Sequence, residues 1–427
     1  MMQLKNRVPN FLTEFSRPAR LFLLATLLDG VIYSTWLLFF NFYILERGFS
    51  REFLGLVTSA TSAAALLLGI PLGMLSDRIG RKRAMILGMS LYVLGAVVEV
   101  TAPARGLILG AAFVSGVGQS LFFLSHAPFM MKVSNAQNRT LLFSLNFGLI
   151  TLAGAVGNIF AGQLPAVFAN LFGFGADSAQ AYQAVLLASA AASTLTLIPL
   201  ALIKEPQSTA ERLGLPTLRT PIWHVLSRPV TLKLTLPNLL IGFGAASLIP
   251  YMNVFFNEKY AISDQTLGIL FSLLSLTTGI GSIFSPRLEK LLRGKITAVT
   301  ATQAVSQIFL LLVGFSPRYS LAAVGFLVRG TLMNMAVPLF DAFSMEQVPE
   351  QDQGAVNSLR TITWQLGWTI GPFLSGIVQV RYGFAPLFIS TAALYTLATL
   401  LTWIFFHKSD RPAPISLVPA VEAVRAE

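Results

Sequence analysis

The sequence predicts an all-α integral membrane protein, in which twelve transmembrane helices form two pseudo-symmetric six-helix bundles. The composition, the sidedness of the basic residues and an internal repeat together predict this class. Of the 427 residues, 54% are hydrophobic and 11% are charged, whereas soluble domains carry about 25% charged residues. So little charge excludes a water-soluble globular protein.

Successive apolar stretches of about 20 residues match a hydrocarbon core near 30 Å thick and define the predicted helices. These helices cover 19–45, 52–74, 83–102, 106–131, 139–166, 178–203, 232–257, 264–287, 295–315, 319–343, 354–380 and 383–407. The chain is therefore divided into a cytoplasmic N-terminal segment (1–18), a six-helix bundle (19–203), a cytoplasmic linker (204–231), a second six-helix bundle (232–407) and a cytoplasmic tail (408–427).

The basic residues lie mainly on one side of this predicted arrangement. Of the 30 lysines and arginines, 22 fall on the side that holds the N-terminus, six fall on the other side, and Arg329 and Arg360 fall inside helices. Because lysine and arginine are enriched in cytoplasmic loops, both termini are predicted to be cytoplasmic. The short loops predict a plasma membrane protein of the bacterial inner membrane. The net charge of +11 is explained by these loops and does not indicate nucleic acid.

The two predicted bundles resemble each other at an offset of 213 or 214 residues. Gly116 matches Gly330, and Gly157 matches Gly371. Two helical repeats with a site between them at the membrane midplane are typical of secondary transporters.

The segment between the second and third predicted helices carries the most specific motif, Gly73-x-Leu75-x-Asp77-Arg78-x-Gly80-Arg81-Lys82. Its residue types and spacing resemble the loop signature of the major facilitator superfamily, which joins the second and third transmembrane helices. The resemblance covers residues 15–408 and implies a twelve-helix carrier that alternates access between its two bundles. It also implies a gating role at the cytoplasmic side for Gly73, Asp77, Arg78, Gly80 and Arg81.

A second gating group is predicted at the same edge of the second bundle. Asp341 and Arg360 lie near the basic segment 287–293, and we expect them to form an inter-helix latch that breaks when the bundles move. In the first bundle Ala127 occupies the position equivalent to Asp341, so a matching latch there must use other groups.

Asp29 is the strongest candidate for a functional residue inside a predicted helix. A charge at the bilayer centre costs about 2.5–3.5 kcal/mol on insertion scales, so such residues are candidates by default. Tyr33 and Trp36 follow Asp29 on the same helical face, which the resemblance implies looks into the central cavity. We expect Asp29 to bind and release a proton, and Tyr33 and Trp36 to contact the substrate. A structural, hydrogen-bonding carboxyl is the alternative for Asp29.

Three further residues are predicted to contact substrate: Gln119, Asn253 and Arg329. Gln119 and Asn253 are neutral donors and acceptors on presumed cavity helices. A guanidinium group stays charged, so Arg329 is predicted to clamp an anionic substrate or to balance Asp29. A structural pair between helices, or a side chain that reaches outward to the interface, remains open for Arg329.

These features predict a proton-coupled secondary active transporter that exports an amphiphilic or drug-like molecule. An uptake carrier for a small organic anion or polar metabolite is the alternative, and a non-transporting membrane sensor or scaffold is an alternative of another class. The predicted partners are a small-molecule substrate, protons and membrane lipids, for a monomer that binds no nucleic acid. The absence of cysteine and of a phosphate-binding loop predicts no metal and no cofactor. No enzymatic activity is expected.

Overall fold

The computed structural model describes residues 15–135, 138–204 and 227–409. These ranges form twelve long helices, of which α4 to α7 are interrupted. The helices are α1 (Arg17–Glu46), α2 (Arg51–Ile79), α3 (Arg81–Thr101), α4 (Arg105–Leu124 and His126–Val133), α5 (Arg139–Ala161 and Leu164–Phe172), α6 (Ala179–Ser193 and Leu197–Leu202), α7 (Pro229–Leu248 and Met252–Tyr260), α8 (Asp264–Leu292), α9 (Lys295–Phe315), α10 (Tyr319–Glu346), α11 (Glu350–Tyr382) and α12 (Ala385–Phe406).

Eleven of these helices are long and apolar enough to cross a membrane, within the described ranges. The twelfth helix, α11, has 33 residues and begins with a polar turn. It packs against α2 and α7. The predicted all-α membrane fold is confirmed. Most of the predicted N-terminal segment, linker and tail lies outside the described residues.

The signature segment is almost entirely helical, although the sequence predicts a loop between helices that end at 74 and begin at 83. Helix α2 continues to Ile79 and α3 begins at Arg81, so Gly80 alone separates them. Gly80 has a φ of 89°, a backbone conformation that glycine adopts readily and other residues avoid. Gly73 lies inside α2, and a Cβ atom added to it would meet no atom within 4 Å. The tight turn therefore requires Gly80 and does not require Gly73.

Helix α7 is interrupted by a short 3₁₀ turn at Ile249–Tyr251. Pro250 lies at its centre and has no backbone N–H to donate. The break leaves the backbone carbonyl of Pro250 available to a partner outside its own helix, and this carbonyl takes part in the contact between the halves described below.

Helices α1–α6 form a first half and α7–α12 a second half, which meet along α2 with α11 and α5 with α8. We call the end that holds the α1–α2 and α7–α8 connections the distal end, and the end that holds Gly80 the basic end. At the distal end, glycines allow helix backbones of the two halves to approach each other closely. A Cβ atom on Gly55 would lie 2.4 Å from the Pro372 oxygen, and one on Gly268 would lie 2.5 Å from the Asn158 oxygen.

Several polar contacts between the halves also lie at or near the distal end. Towards the middle of the helices α5 and α8 remain in contact, since a Cβ atom on Gly279 would lie 2.9 Å from the Thr151 side chain. The two halves are therefore closed against each other at the distal end.

Candidate functional site

Three of the predicted site residues, Asp29, Tyr33 and Gln119, line one cleft inside the first half. The cavity that they enclose has a volume of about 10 Å³. Asp29 is 8% exposed, and the rings of Tyr33 and Tyr92 approach with centroids 6.2 Å apart. The complete lining, within the described part of the chain, is Asp29, Tyr33, Met89, Tyr92, Gln119, Phe122 and Phe123.

The cleft is positioned by a tight contact between α3 and α4. A Cβ atom on Gly118 would lie 2.4 Å from the Tyr92 nitrogen, and one on Gly88 would lie 2.7 Å from the Gly118 oxygen. These two glycines bring the backbones together, so Tyr92 and Gln119 reach the same space. Asp29 and Tyr33 face it from α1, one helical turn apart.

The lining determines which chemistry the cleft can support. Asp29 is its one carboxyl group, Gln119 offers an amide, and the remaining side chains are two phenols, two phenyl rings and a thioether. None of them is basic. Such a site can bind a proton at Asp29, or a cationic or hydrogen-bonding group held against aromatic faces.

Trp36 lies beside this cleft without lining it. Its ring stacks on Phe40 with centroids 5.0 Å apart and meets the Tyr92 ring edge-on at 6.3 Å. The predicted aromatic face of α1 is therefore present, and Trp36 packs against the cleft residue Tyr92 from the distal side.

Sequence reasoning missed Glu99, a second carboxyl inside the first half. Glu99 is 2% exposed, and the Ser115 hydroxyl on α4 donates a hydrogen bond to its Oε1. Glu99 lies within the predicted helix 83–102, so the search for ionisable residues inside helices that selected Asp29 applies to it as well. It was overlooked because it lies near the predicted end of the helix, where acidic residues are usually hydrated.

Arg329 lies in the second half, away from the Asp29 cleft. It is 7% exposed, and its Nη2 donates to the Tyr395 hydroxyl of α12 at 2.9 Å. Its guanidinium carbon lies 5.6 Å from the centre of the same ring. No described carboxylate forms an ion pair with Arg329, and its Nε has no hydrogen-bond partner. Arg329 is therefore a buried cation in the second half that has no counter-ion among the residues that the structure describes.

Asn253 lies on the contact between the halves at the distal end, not in the cleft. Asn41 of α1 donates to the Asn253 Oδ1 at 2.9 Å and to the Pro250 oxygen at 2.6 Å. Asn253 in turn donates to the Leu38 oxygen at 2.9 Å. Each asparagine thus bonds the backbone carbonyl three residues before the other. We call this arrangement of Asn41 and Asn253 the asparagine clasp.

Two further polar contacts join the halves on either side of this clasp. Arg51 of α2 forms an ion pair with Glu258 of α7. The Tyr182 hydroxyl of α6 donates to the Asp264 carboxylate of α8 at 3.2 Å. With the clasp, they close the distal end across three pairs of helices.

The gating residues of the signature form a network within the first half. Arg81 forms an ion pair with Asp77 and donates from Nη1 to the Ser76 hydroxyl at 2.9 Å. Ser76 in turn hydrogen-bonds Ser125, at the interruption of α4, at 2.7 Å. The signature arginine is therefore linked through Ser76 to the interruption of α4 within the first half. Arg78 is exposed on the last turn of α2.

In the second half, Arg360 of α11 donates to the Asp341 carboxylate of α10 at 2.6 Å. Its guanidinium also lies 5.1 Å from the centre of the Phe340 ring. The predicted pair is present, but both residues belong to the second half, so it does not join one half to the other. A gating role for this pair and for the signature residues stays a prediction.

Comparisons with known proteins agree with this architecture. The family model described as Major Facilitator Superfamily matches residues 21–372 and 238–425. The uncharacterized MFS-type transporter YhhS of Escherichia coli K12 is 26% identical over 365 residues, covering 83% of this chain and 84% of the relative.

Solved transporter structures share the fold at low sequence identity. A bacterial homologue of the human lysosomal transporter Spinster, in an inward-facing and occupied conformation, has a TM-score of 0.73 and 14% identity, over 93% of this chain and 98% of that one. A variant of the nucleoside transporter NupG has a TM-score of 0.71 and 15% identity, over 91% of this chain and 100% of that one. The resemblance of the loop signature is confirmed: this chain belongs to the major facilitator superfamily and is a membrane transporter of that family.

Proposed function

We propose that this transporter is coupled to protons through Asp29 and exports an amphiphilic or drug-like compound. The proposal rests on the cleft in the first half. There one buried carboxyl group lies among aromatic rings, and none of the described residues that line the cleft is basic.

The arrangement of the halves supports alternating access. The distal end is held closed by the asparagine clasp and its neighbouring polar contacts. With the basic end in the cytoplasm, as the sidedness of lysine and arginine predicts, this is a conformation in which substrate exchanges with the cytoplasm. Movement of one half against the other would then open the distal end.

The surroundings of Asp29 support proton coupling. A carboxylate that is removed from water without a partner is costly, and no described cation pairs with Asp29. Either a proton or a positively charged group of the substrate compensates this charge. Competition between the two for one carboxyl group is a simple basis for exchange of substrate against protons.

The walls of the cleft support an amphiphilic substrate. Tyr33, Tyr92, Phe122 and Phe123 offer apolar and π surfaces to a lipophilic cation. In this conformation the side chains of the cleft enclose a cavity of about 10 Å³, which is room for about one water molecule. We infer that the compound binds in the space between the halves and places its charged or polar end towards the cleft.

The first test is thermal unfolding of the purified protein with tetraphenylphosphonium, a lipophilic cation, and with benzoate, a small organic anion. We expect the cation to raise the unfolding temperature and the Asp29→Asn substitution to abolish this effect. Asp177→Asn, in an exposed connection between α5 and α6, is the matched control and should behave as the unsubstituted protein. Stabilisation by benzoate alone would refute the proposed substrate class.

The second test uses proteoliposomes with an imposed pH gradient. Export of the cation should follow the gradient in the unsubstituted protein and become independent of it in Asp29→Asn. Transport with unchanged gradient dependence in that variant would show that Asp29 is not the coupling group. A protein that transports no compound of either class, and is indifferent to the substitution, would be a sensor or scaffold.

An uptake carrier for a small organic anion is the second candidate, and Arg329 favours it. This buried guanidinium has no described counter-ion, and its Nε has no partner. An anionic substrate would supply both the counter-ion and a hydrogen-bond acceptor for the Nε. In that case benzoate uptake should be lost in Arg329→Gln and retained in Asp29→Asn.

A further inference from the structure

The polar lining of the Asp29 cleft continues towards the distal end on two neighbouring helices. On α3, Glu99 follows Tyr92 by seven residues, which is two turns or about 10 Å of rise. On α4, Ser115 precedes Gln119 by four residues, which is one turn. Because α3 and α4 run antiparallel, both steps lead in the same direction. The hydrogen-bonded Glu99 and Ser115 therefore lie directly beyond the cleft.

Glu99 is enclosed by closely packed helix backbones. A Cβ atom on Gly95 would lie 2.4 Å from the Ser115 hydroxyl and 2.9 Å from the Ala111 oxygen. Glu99 and Ser115 are 2% and 3% exposed. One hydroxyl donor is weak compensation for an ionised carboxylate, which is well stabilised when two or three donors face it.

Basic groups near this level of the membrane have other partners. Arg47, which follows α1, donates to the Tyr43 hydroxyl at 3.0 Å and to the Ala102 oxygen at 2.9 Å. Arg105 at the start of α4 lies against the Phe49 and Phe53 rings. Within the described residues, Glu99 forms no ion pair. The other titratable or charged side chains in the distal halves of the helices packed around it are Tyr33, Tyr43, Glu46, Arg51, Glu52, Tyr92 and Tyr182.

Two tyrosines lie at levels between the two carboxyl groups. Tyr33 and Tyr92 both line the Asp29 cleft, with ring centroids 6.2 Å apart, and Tyr92 lies two helical turns before Glu99 on α3. A phenol hydroxyl accepts one hydrogen bond while it donates another. Hydroxyl groups at this position can relay a change of protonation from one carboxyl group to the other.

We propose that Glu99 is a second proton-binding group of this transporter and that its protonation is linked to that of Asp29 through Tyr33 and Tyr92. The inference deepens the proposed proton coupling and rests on it. Asp29 lies 12 residues after the start of α1 at the basic end, whereas Glu99 lies two residues before the distal end of α3. Glu99 exchanges its proton with the distal side, and Asp29 exchanges its proton with the basic side.

Infrared difference spectroscopy of the full chain in lipid vesicles tests this without knowledge of the substrate. A protonated carboxyl has a C=O stretching band that vanishes on ionisation, so spectra are recorded across a pH titration. We expect two pH-dependent bands, one lost in Glu99→Gln and the other lost in Asp29→Asn. The remaining Glu99 band should titrate at a displaced pH in Asp29→Asn, because the charge beside the shared tyrosines is gone.

A milder variant guards against misfolding of Glu99→Gln. Ser115→Ala removes the hydroxyl donor but keeps the carboxyl, so it should shift the frequency of the Glu99 band and leave the Asp29 band in place. A Glu99 band that persists unchanged at every pH, or that is absent at every pH, would overturn the proposal. A pH-independent Asp29 band beside a titrating Glu99 band would instead contradict the proposed role of Asp29.

Discussion

The asparagine clasp leads to a quantitative prediction about the balance between the two conformations of the transporter. Asn253→Ala removes the bond to the Leu38 oxygen and the bond from Asn41, and leaves the bond from Asn41 to the Pro250 oxygen. Each buried hydrogen bond contributes about 0.5–1.5 kcal/mol net. The loss of two therefore shifts the equilibrium away from the distal-closed state by about 1–3 kcal/mol, or roughly 5- to 150-fold.

This shift can be measured as a distance between spin labels across the distal end. The chain contains no cysteine, so cysteines introduced at Asp177 of the first half and Ser320 of the second are the only labelling sites. Both positions are exposed. Pulsed electron-spin distance measurements should show a longer-distance population that grows by the predicted factor in Asn253→Ala.

Asn238→Ala is the matched control on the same helix. The Asn238 amide donates to the Arg360 oxygen at 2.7 Å and to Thr363 at 3.1 Å, both within the second half. Its loss should leave the distance distribution unchanged. Equal shifts in the two variants would indicate general loosening of α7, and no shift in Asn253→Ala would refute the claim that the clasp holds the distal end closed.

Three further predictions concern close contacts and buried charge. Gly268→Val should also favour the distal-open state in the spin-label assay, because its side chain would overlap a backbone oxygen of α5 that lies 2.5 Å from the Cβ position; an unchanged distribution would show that α8 moves aside freely. Gly80→Ala should lower the free energy of unfolding by about 1–3 kcal/mol, because Gly80 has a φ of 89° and a ψ of 148° and a residue with a side chain is strained in this conformation. An unfolding temperature equal to that of the unsubstituted protein would contradict this. Arg228→Ala should lower the unfolding temperature far more than Glu346→Gln, because the partner of Arg228, Asp352, is 1% exposed, whereas the side chains of the Lys295–Glu346 pair are 22% and 55% exposed. Breaking a buried pair costs about 3–5 kcal/mol and an exposed one about 0–1 kcal/mol, so equal effects would contradict the burial argument.

The helices were predictable from the sequence because membrane spans are long, continuous and apolar. The prediction for α9, 295–315, coincides with the observed helix. The sequence predicts that α2 ends at 74, five residues before its observed end at Ile79. Apolarity marks where a helix leaves the hydrocarbon, whereas backbone hydrogen bonds continue through the polar residues beyond it.

The candidate site was predictable only where its residues share one helix. Asp29 and Tyr33 were grouped because four-residue spacing places them on one face. The assignment of Gln119 to the same cavity came from the family resemblance. The asparagine clasp joins residues 212 positions apart, and no periodicity in a single sequence indicates such a contact. The partner of Arg329, Tyr395, was missed for the same reason.

The asparagine clasp has the geometry of a contact between identical subunits. In a two-fold dimer, residue i of one copy meets residue j of the other, and j meets i in return. Asn41 and Asn253 reproduce this reciprocity inside one polypeptide, as expected if an ancestral half once paired with a second copy of itself. Joining the copies allowed each to diverge separately. The two asparagines lie 212 positions apart, one residue from the 213-residue offset by which Asp29 corresponds to Gly242 on the same two helices. A reciprocal contact between the halves thus coexists with a carboxyl group that only the first half carries.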